Sequence, residues 1–194
     1  MRVDRGSGLL LGAAFVPSPN CDDRPEGCSP ELVVIHGISL PPGEFGGPWI
    51  EKLFTNALPA AAHPYFATIQ DLRVSAHALV RRDGSIVQFV PFGRRAWHAG
   101  ESAWRGRECC NDFSIGIELE GTDATSYDEA QYSSLAHLLI ALIDAYPGLH
   151  AESLAGHSDV APGRKTDPGL SFDWPRLRAL VRRGLQVPRS EISA

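Results

Sequence analysis

Strands interleaved with helices, one tight hairpin among them, predict an α/β fold: a single domain with a central mixed β-sheet flanked by helices. Short apolar runs at 31–36 (ELVVIH) and 114–119 (SIGIEL) have strand length. Asp83-Gly84, between the runs 74–81 and 85–90, is a hairpin signal. Tyr132, Leu135, Leu139, Leu142 and Tyr146 recur along one face of a long helix. A Ser126/Glu129 capping box opens that helix and Pro147-Gly148 ends it.

The other elements follow in chain order. Residues 9–16 are an apolar run behind Arg2 and Arg5, in faint imitation of a secretory signal. Gly12 interrupts the run, Asp4 sits in the basic stretch, and Pro17-Ser18-Pro19 stands where a small-residue cleavage site belongs. Residues 1–30 are therefore read as a segment packed on the domain. The strand at 31–36 carries His36 at its C-terminal end. The stretch 40–48 (LPPGEFGGP) is loop, and 49–54 is a short helix. A last helix spans 173–183, the domain runs over 31–184, and the polar residues 185–194 are expected to be a flexible tail.

Composition narrows the function classes. A chain of 194 residues can bury a core without disulfide or metal staples. A net charge of −5 argues against nucleic acid or an anionic membrane as partner. No apolar stretch reaches membrane-spanning length. Cys21, Cys28, Cys109 and Cys110 are too few for a disulfide scaffold. Cys21 and Cys28 could pair in an oxidising compartment, but the balance favours the cytoplasm.

The segment 156–169 (GHSDVAPGRKTDPG) concentrates chemistry in a loop, with His157, Lys165 and Asp167 among its glycines and prolines. Other histidines read as structural or solvated: His137 inside the long helix, His150 in a loop, His63 before Pro64. His77 suits either core or cleft, and His98 lies in AWHAG (96–100), a turn able to line a pocket. His36 is a ligand candidate because strand C-termini in open α/β sheets face the ligand crevice. A hydrogen-bonded histidine capping the strand is an equal alternative. His36, His157 and Asp167 together make a His/carboxylate set of the kind that binds catalytic zinc with one position open. For Asp167 the alternative is a turn-forming role before Pro168. Lys165 is either surface charge or a stabiliser of a developing oxyanion.

Alternation in 114–120 puts Ser114, Gly116, Glu118 and Glu120 on one strand face, opposite Ile115, Ile117 and Leu119. Gly116 leaves that face open to approach, and Glu118 there can act as a general base on a metal-activated water. A solvated strand face is the alternative. A nucleophile at Cys109 or Cys110 is the competing chemistry, though no recognisable Cys-His signature surrounds the pair.

Longer motifs carry a resemblance. They are VPSP (16–19), HGISLPPGEFGGPWI (36–50), LRVSAHALVRRDGSIVQFVPF (72–92), RAWHAG (95–100), CNDFSIGIELEGT (110–122) and GHSDVAPGRKTDPG. In these the chain resembles the AmpD-type N-acetylmuramoyl-L-alanine amidases, zinc enzymes of bacterial peptidoglycan recycling with an amidase/peptidoglycan-recognition-protein-like fold. The resemblance implies one Zn2+ per chain on His36, His157 and Asp167, with Glu118 as catalytic base and Lys165 stabilising the tetrahedral intermediate. It implies a small 1,6-anhydro-N-acetylmuramyl peptide as substrate, cut at the amide between the lactyl group and L-Ala. Arg73 would face the stem-peptide carboxylates. Ala96, Trp97 and His98 would line the cleft, and Gly37 and Leu119 would touch substrate. It implies a cytoplasmic setting and a role in limiting β-lactamase induction; the chain is expected to be a monomer without nucleic-acid or membrane partners. Gly37 and Cys109 depart from the Asn and Arg common in the family at those places. An exported amidase acting on intact wall and a non-catalytic peptidoglycan binder are the rival readings.

Overall fold

The computed structural model describes residues 1–186. In chain order the elements are β1 Ala14–Phe15, β2 Cys21–Asp22, β3 Leu32–Ile38, α1 Trp49–Phe54, α2 Phe66–Ile69, β4 Ala78–Val80 and β5 Ile86–Gln88. There follow β6 Arg95–Ala96, β7 Ala103–Trp104, β8 Arg107–Glu108, β9 Ser114–Glu120, α3 Glu129–Ala145, β10 Leu154–Gly156, α4 His157–Val160 and α5 Trp174–Gln186. The main sheet has the order β1-β5-β4-β9-β3-β10, so it is a mixed sheet flanked by helices, as the sequence predicts. Only the β4–β5 hairpin is antiparallel within it. Asp83 shapes that hairpin by accepting the Ser85 N–H, and Gly84 supplies the positive φ of 84° that the turn requires.

Burial follows strand alternation. Ile35, Ile115, Ile117 and Leu119 face the long helix and pack with Leu135, Leu139, Leu142, Leu177 and Val181 from α3 and α5. Each such side chain, fully buried, contributes about 1.5–3 kcal/mol. Leu79 and Val87 point the other way and meet Phe54, Phe66 and Phe89 under α1 and α2. The N-terminal segment joins the same body: Val3 and Leu10 are buried and β1 extends the sheet beside β5.

Two boundaries differ from expectation. Helix α3 begins two residues later than the Ser126/Glu129 pair suggests. Asp128 is its N-cap, and Gln131 Oε1 reaches back 3.0 Å to accept the Asp128 N–H. Tyr127, buried at 6 % exposure, belongs to the core instead, which commits the preceding residues to a loop. Helix α5 runs through Leu185 and Gln186, residues expected in a flexible tail; the rest of that tail lies outside the described residues.

Glu120 sits on the same face as Glu118 but does structural work. It is 1 % exposed, ion-paired with Arg81 at 3.1 Å, and accepts the backbone N–H groups of Gly46 and Arg82 at 2.9 and 3.1 Å. Arg81 in turn reaches Glu51 of α1 at 2.7 Å. Glu120→Ala leaves Arg81 without its most buried partner and should cost about 3–5 kcal/mol, read from chemical denaturation midpoints. A loss below 1 kcal/mol would show the network to be dispensable.

Candidate active site

Strand register assembles the site. Strands β3, β9 and β10 are parallel, with His36 paired to Glu118 and Ile35 paired to Gly156. Glu118, His36 and His157, the residue following β10, therefore lie side by side near the strand C-termini. A Cβ on Gly156 would fall 3.0 Å from Pro168 Cδ, so this glycine lets the Asp167-Pro168 turn close against the strand end. The Ser158 N–H donates to the Asp167 carbonyl at 2.9 Å and holds the two ends of the loop together.

Three side chains converge there. His36 Nδ1 lies 2.9 Å from His157 Nδ1, and Asp167 Oδ2 lies 3.3 and 3.0 Å from those two nitrogens. One ligand atom from each residue falls within 4.8 Å of the others, a grouping able to hold a metal ion. Burial lowers the His36 pKa to about 4, against the opposing pull of Asp167, so this ring is neutral at pH 7. For Asp167, burial acts upward, but its contacts with the ring nitrogens of His157 and His36 outweigh it and hold the carboxyl well below its ordinary range. A neutral imidazole and an ionised carboxylate are the forms that bind metals.

Glu118 is 9 % exposed, and its Oε2 is buried without a hydrogen-bond partner. A solvated strand face is thereby excluded. Burial raises its pKa well above the ordinary carboxylate value; Asp167 adds to this and Lys165 opposes it. These groups open into a cleft of about 760 Å³ that Lys165, Gly37 and His98 also line, with Tyr65, Leu72 and Val74 as an apolar wall. Arg73 is not among the lining residues; it is exposed between Leu72 and Val74, which are, and donates to the Gln70 and Leu72 carbonyls at 3.3 and 3.4 Å.

Other expected contacts fall elsewhere. Ala96 is fully buried, paired with Cys21 and packed in the core under α1. Leu119 is fully buried beneath α3, because neighbours along a strand face opposite ways and Glu118 takes the cleft side. Trp97 lies outside the cleft lining and donates its indole N–H to Asp22 at 3.2 Å. Neither Cys109 nor Cys110 lines the cleft. Burial raises the Cys110 thiol pKa, against nucleophilic use, and all four cysteines are free.

Supporting residues escaped the sequence reading. The Tyr127 hydroxyl donates to the Pro168 carbonyl at 3.0 Å and so tethers the turn that carries Asp167. A Cβ on Gly37 would meet that hydroxyl oxygen at 2.4 Å, so Gly37 leaves room for the tether. Asn111 Oδ1 accepts the N–H groups of His98 and Ala99 at 3.2 and 2.8 Å. Gly116 was the visible signal: a Cβ there would fall 2.3 Å from His98 Cγ, and the group it admits is the His98 ring.

The Amidase_2 family pattern, N-acetylmuramoyl-L-alanine amidase, matches residues 26–170. The chain belongs to this amidase family. It is 63 % identical over 174 residues to the 1,6-anhydro-N-acetylmuramyl-L-alanine amidase AmpD of Escherichia coli K12, covering 90 % of this chain and 94 % of that one. The AmpD of Haemophilus influenzae is 47 % identical over 92 % of this chain and 97 % of its own. A crystal structure of a Se-Met AmpD derivative superimposes with a TM-score of 0.90 at 61 % identity, over 93 % of this chain and 99 % of that one. The amidase AmiD of E. coli, solved with the substrate anhydro-N-acetylmuramic acid-L-Ala-D-γ-Glu-L-Lys, gives a TM-score of 0.58 at 30 % identity, over 81 % of this chain and 60 % of that one. The amidase fold and the N-acetylmuramoyl-L-alanine amidase activity class both apply to this chain. Among the described residues, no helix is long and apolar enough to cross a membrane.

Proposed function

We propose that this amidase is zinc-dependent and hydrolyses the amide between the lactyl group of 1,6-anhydro-N-acetylmuramic acid and L-Ala. The observation that carries the reading is the partnerless Glu118 Oε2, buried beside three converging ligand atoms at the floor of a peptide-sized cleft. His36, His157 and Asp167 fit zinc: two imidazole nitrogens and one carboxylate oxygen are a borderline-soft set that leaves a coordination position free. Zinc bound there supplies Lewis acidity to the attacking water and the scissile carbonyl.

The chain's own groups perform the proton transfers. Glu118 takes a proton from the water as its oxygen bonds to the carbonyl carbon. It then returns that proton to the L-Ala nitrogen as the C–N bond breaks. A carboxyl whose pKa is raised by burial suits both roles. Lys165, exposed in the same cleft, places its ammonium against the developing oxyanion. His98 and Gly37 wall the cleft, and the exposed guanidinium of Arg73, next to the lining residues Leu72 and Val74, would meet the stem-peptide carboxylates.

The setting that fits this substrate is the cytoplasm, where a monomeric enzyme would recycle muramyl peptides and so limit β-lactamase induction. Mass spectrometry of products from an anhydromuramyl tripeptide tests the reaction. Free tripeptide and anhydromuramic acid should appear, and a strong chelator should abolish both. Faster turnover of insoluble sacculi than of the soluble fragment would instead mark a wall-acting amidase.

A further inference from the structure

We infer that the dipeptide His98-Ala99 is a tautomer template for the metal centre, fixing which nitrogen of both His36 and His157 faces the cation. The inference rests on the metal-site reading above and assigns His98 as a positioning residue.

The hydrogen bonds lead to this from the outside inward. The Ser114 hydroxyl has one proton, and it goes to the Cys110 carbonyl at 2.6 Å. The same hydroxyl oxygen lies 3.1 Å from His98 Nε2, so it accepts there and His98 carries its proton on Nε2. His98 Nδ1 is then a bare acceptor. It lies 3.0 Å from His36 Nε2, which must donate to it. The His36 lone pair is left on Nδ1, the nitrogen that faces His157 and Asp167.

Ala99 does the same for the second histidine. Its carbonyl lies 3.2 Å from His157 Nε2, and a carbonyl can only accept. His157 therefore holds its proton on Nε2 and presents Nδ1 inward. With Asp167 Oδ2, three acceptor atoms face one another without a proton among them. Such an arrangement is repulsive until a cation fills it.

The template itself is held rigidly. Asn111 Oδ1 binds both backbone N–H groups of the dipeptide, and Gly116 provides the space for the His98 ring. The outer partner of a metal-bound histidine sets ring orientation and basicity, and its loss costs roughly 10- to 100-fold in metal affinity.

Zinc affinity of the full chain is measured by chelator competition, alongside imidazole 1H–15N spectra of the zinc-loaded protein. His98→Leu should weaken zinc by roughly 10- to 100-fold. It should also remove the exchange-protected His36 Nε2–H signal while leaving that of His157. His98→Asn, whose Oδ1 replaces the lost acceptor, should restore both. Ser114→Ala, which keeps the His98 ring, should shift both readouts in the same direction, and it decides the matter if His98→Leu does not fold. Unchanged zinc affinity and an unchanged His36 signal in His98→Leu, or in Ser114→Ala where that variant decides, would overturn the template. A wild-type protein that takes up no stoichiometric zinc would instead overturn the metal-centre reading, and the template with it.

Discussion

Glu118→Gln should fold, retain stoichiometric zinc, and hydrolyse the muramyl–L-Ala amide about 100- to 10,000-fold more slowly than wild type. The substitution keeps the shape of the side chain and removes its ability to shuttle a proton. Zinc retention is expected because Glu118 is outside the converging trio of His36, His157 and Asp167. Thermal unfolding should come no earlier than in wild type, because the substitution removes a buried carboxylate whose Oε2 has no partner. Single-turnover rates, metal analysis and a thermal unfolding curve on the same sample check these expectations. Wild-type turnover in the Gln variant would remove Glu118 from the proton path.

Asp167→Ala should lose the metal, and activity should fall with it. The carboxylate supplies the only negative charge in the trio and lies 3.0 and 3.3 Å from the two facing imidazole nitrogens. Losing an outer partner of a ligand costs roughly 10- to 100-fold in affinity, and losing a charged ligand costs more. A chelator that leaves wild type loaded should therefore strip this variant completely. Stoichiometric zinc in purified Asp167→Ala would exclude the residue as a ligand.

Much of this molecule was legible in its sequence because its strands obey simple alternation. The apolar residues of β9 marked one face as core, and Glu118 followed on the other. The parallel pairing of His36 with Glu118 was not legible, since register between distant strands depends on the whole sheet. Gly116 announced that something approaches the sheet, but the pattern could not say that His98 does so. Expected contacts at Ala96 and Leu119 came from motif position alone, and a motif does not say which way a side chain points. Asn111 and Tyr127 left no trace, because side-chain hydrogen bonds to backbone 12 to 41 residues away leave no periodic pattern in the sequence. The capping pair at Ser126 misled because Asp128 and Gln131 offer the same spacing two residues later.

The parallel alignment of β3, β9 and β10 also bears on folding thermodynamics. Of the proposed zinc ligands, His36 lies 121 residues before His157 in the chain, so it meets the loop that carries His157 and Asp167 only once β10 has docked beside β3. An unfolded chain contains no such trio, so the cation binds the native state alone. Its free energy of binding then counts toward native stability, about 4 kcal/mol when free metal stands at 1,000 times Kd. The element that activates water would thus double as a clasp on the sheet's last strand, and starving a cell of metal would reduce the amount of folded enzyme as well as its turnover.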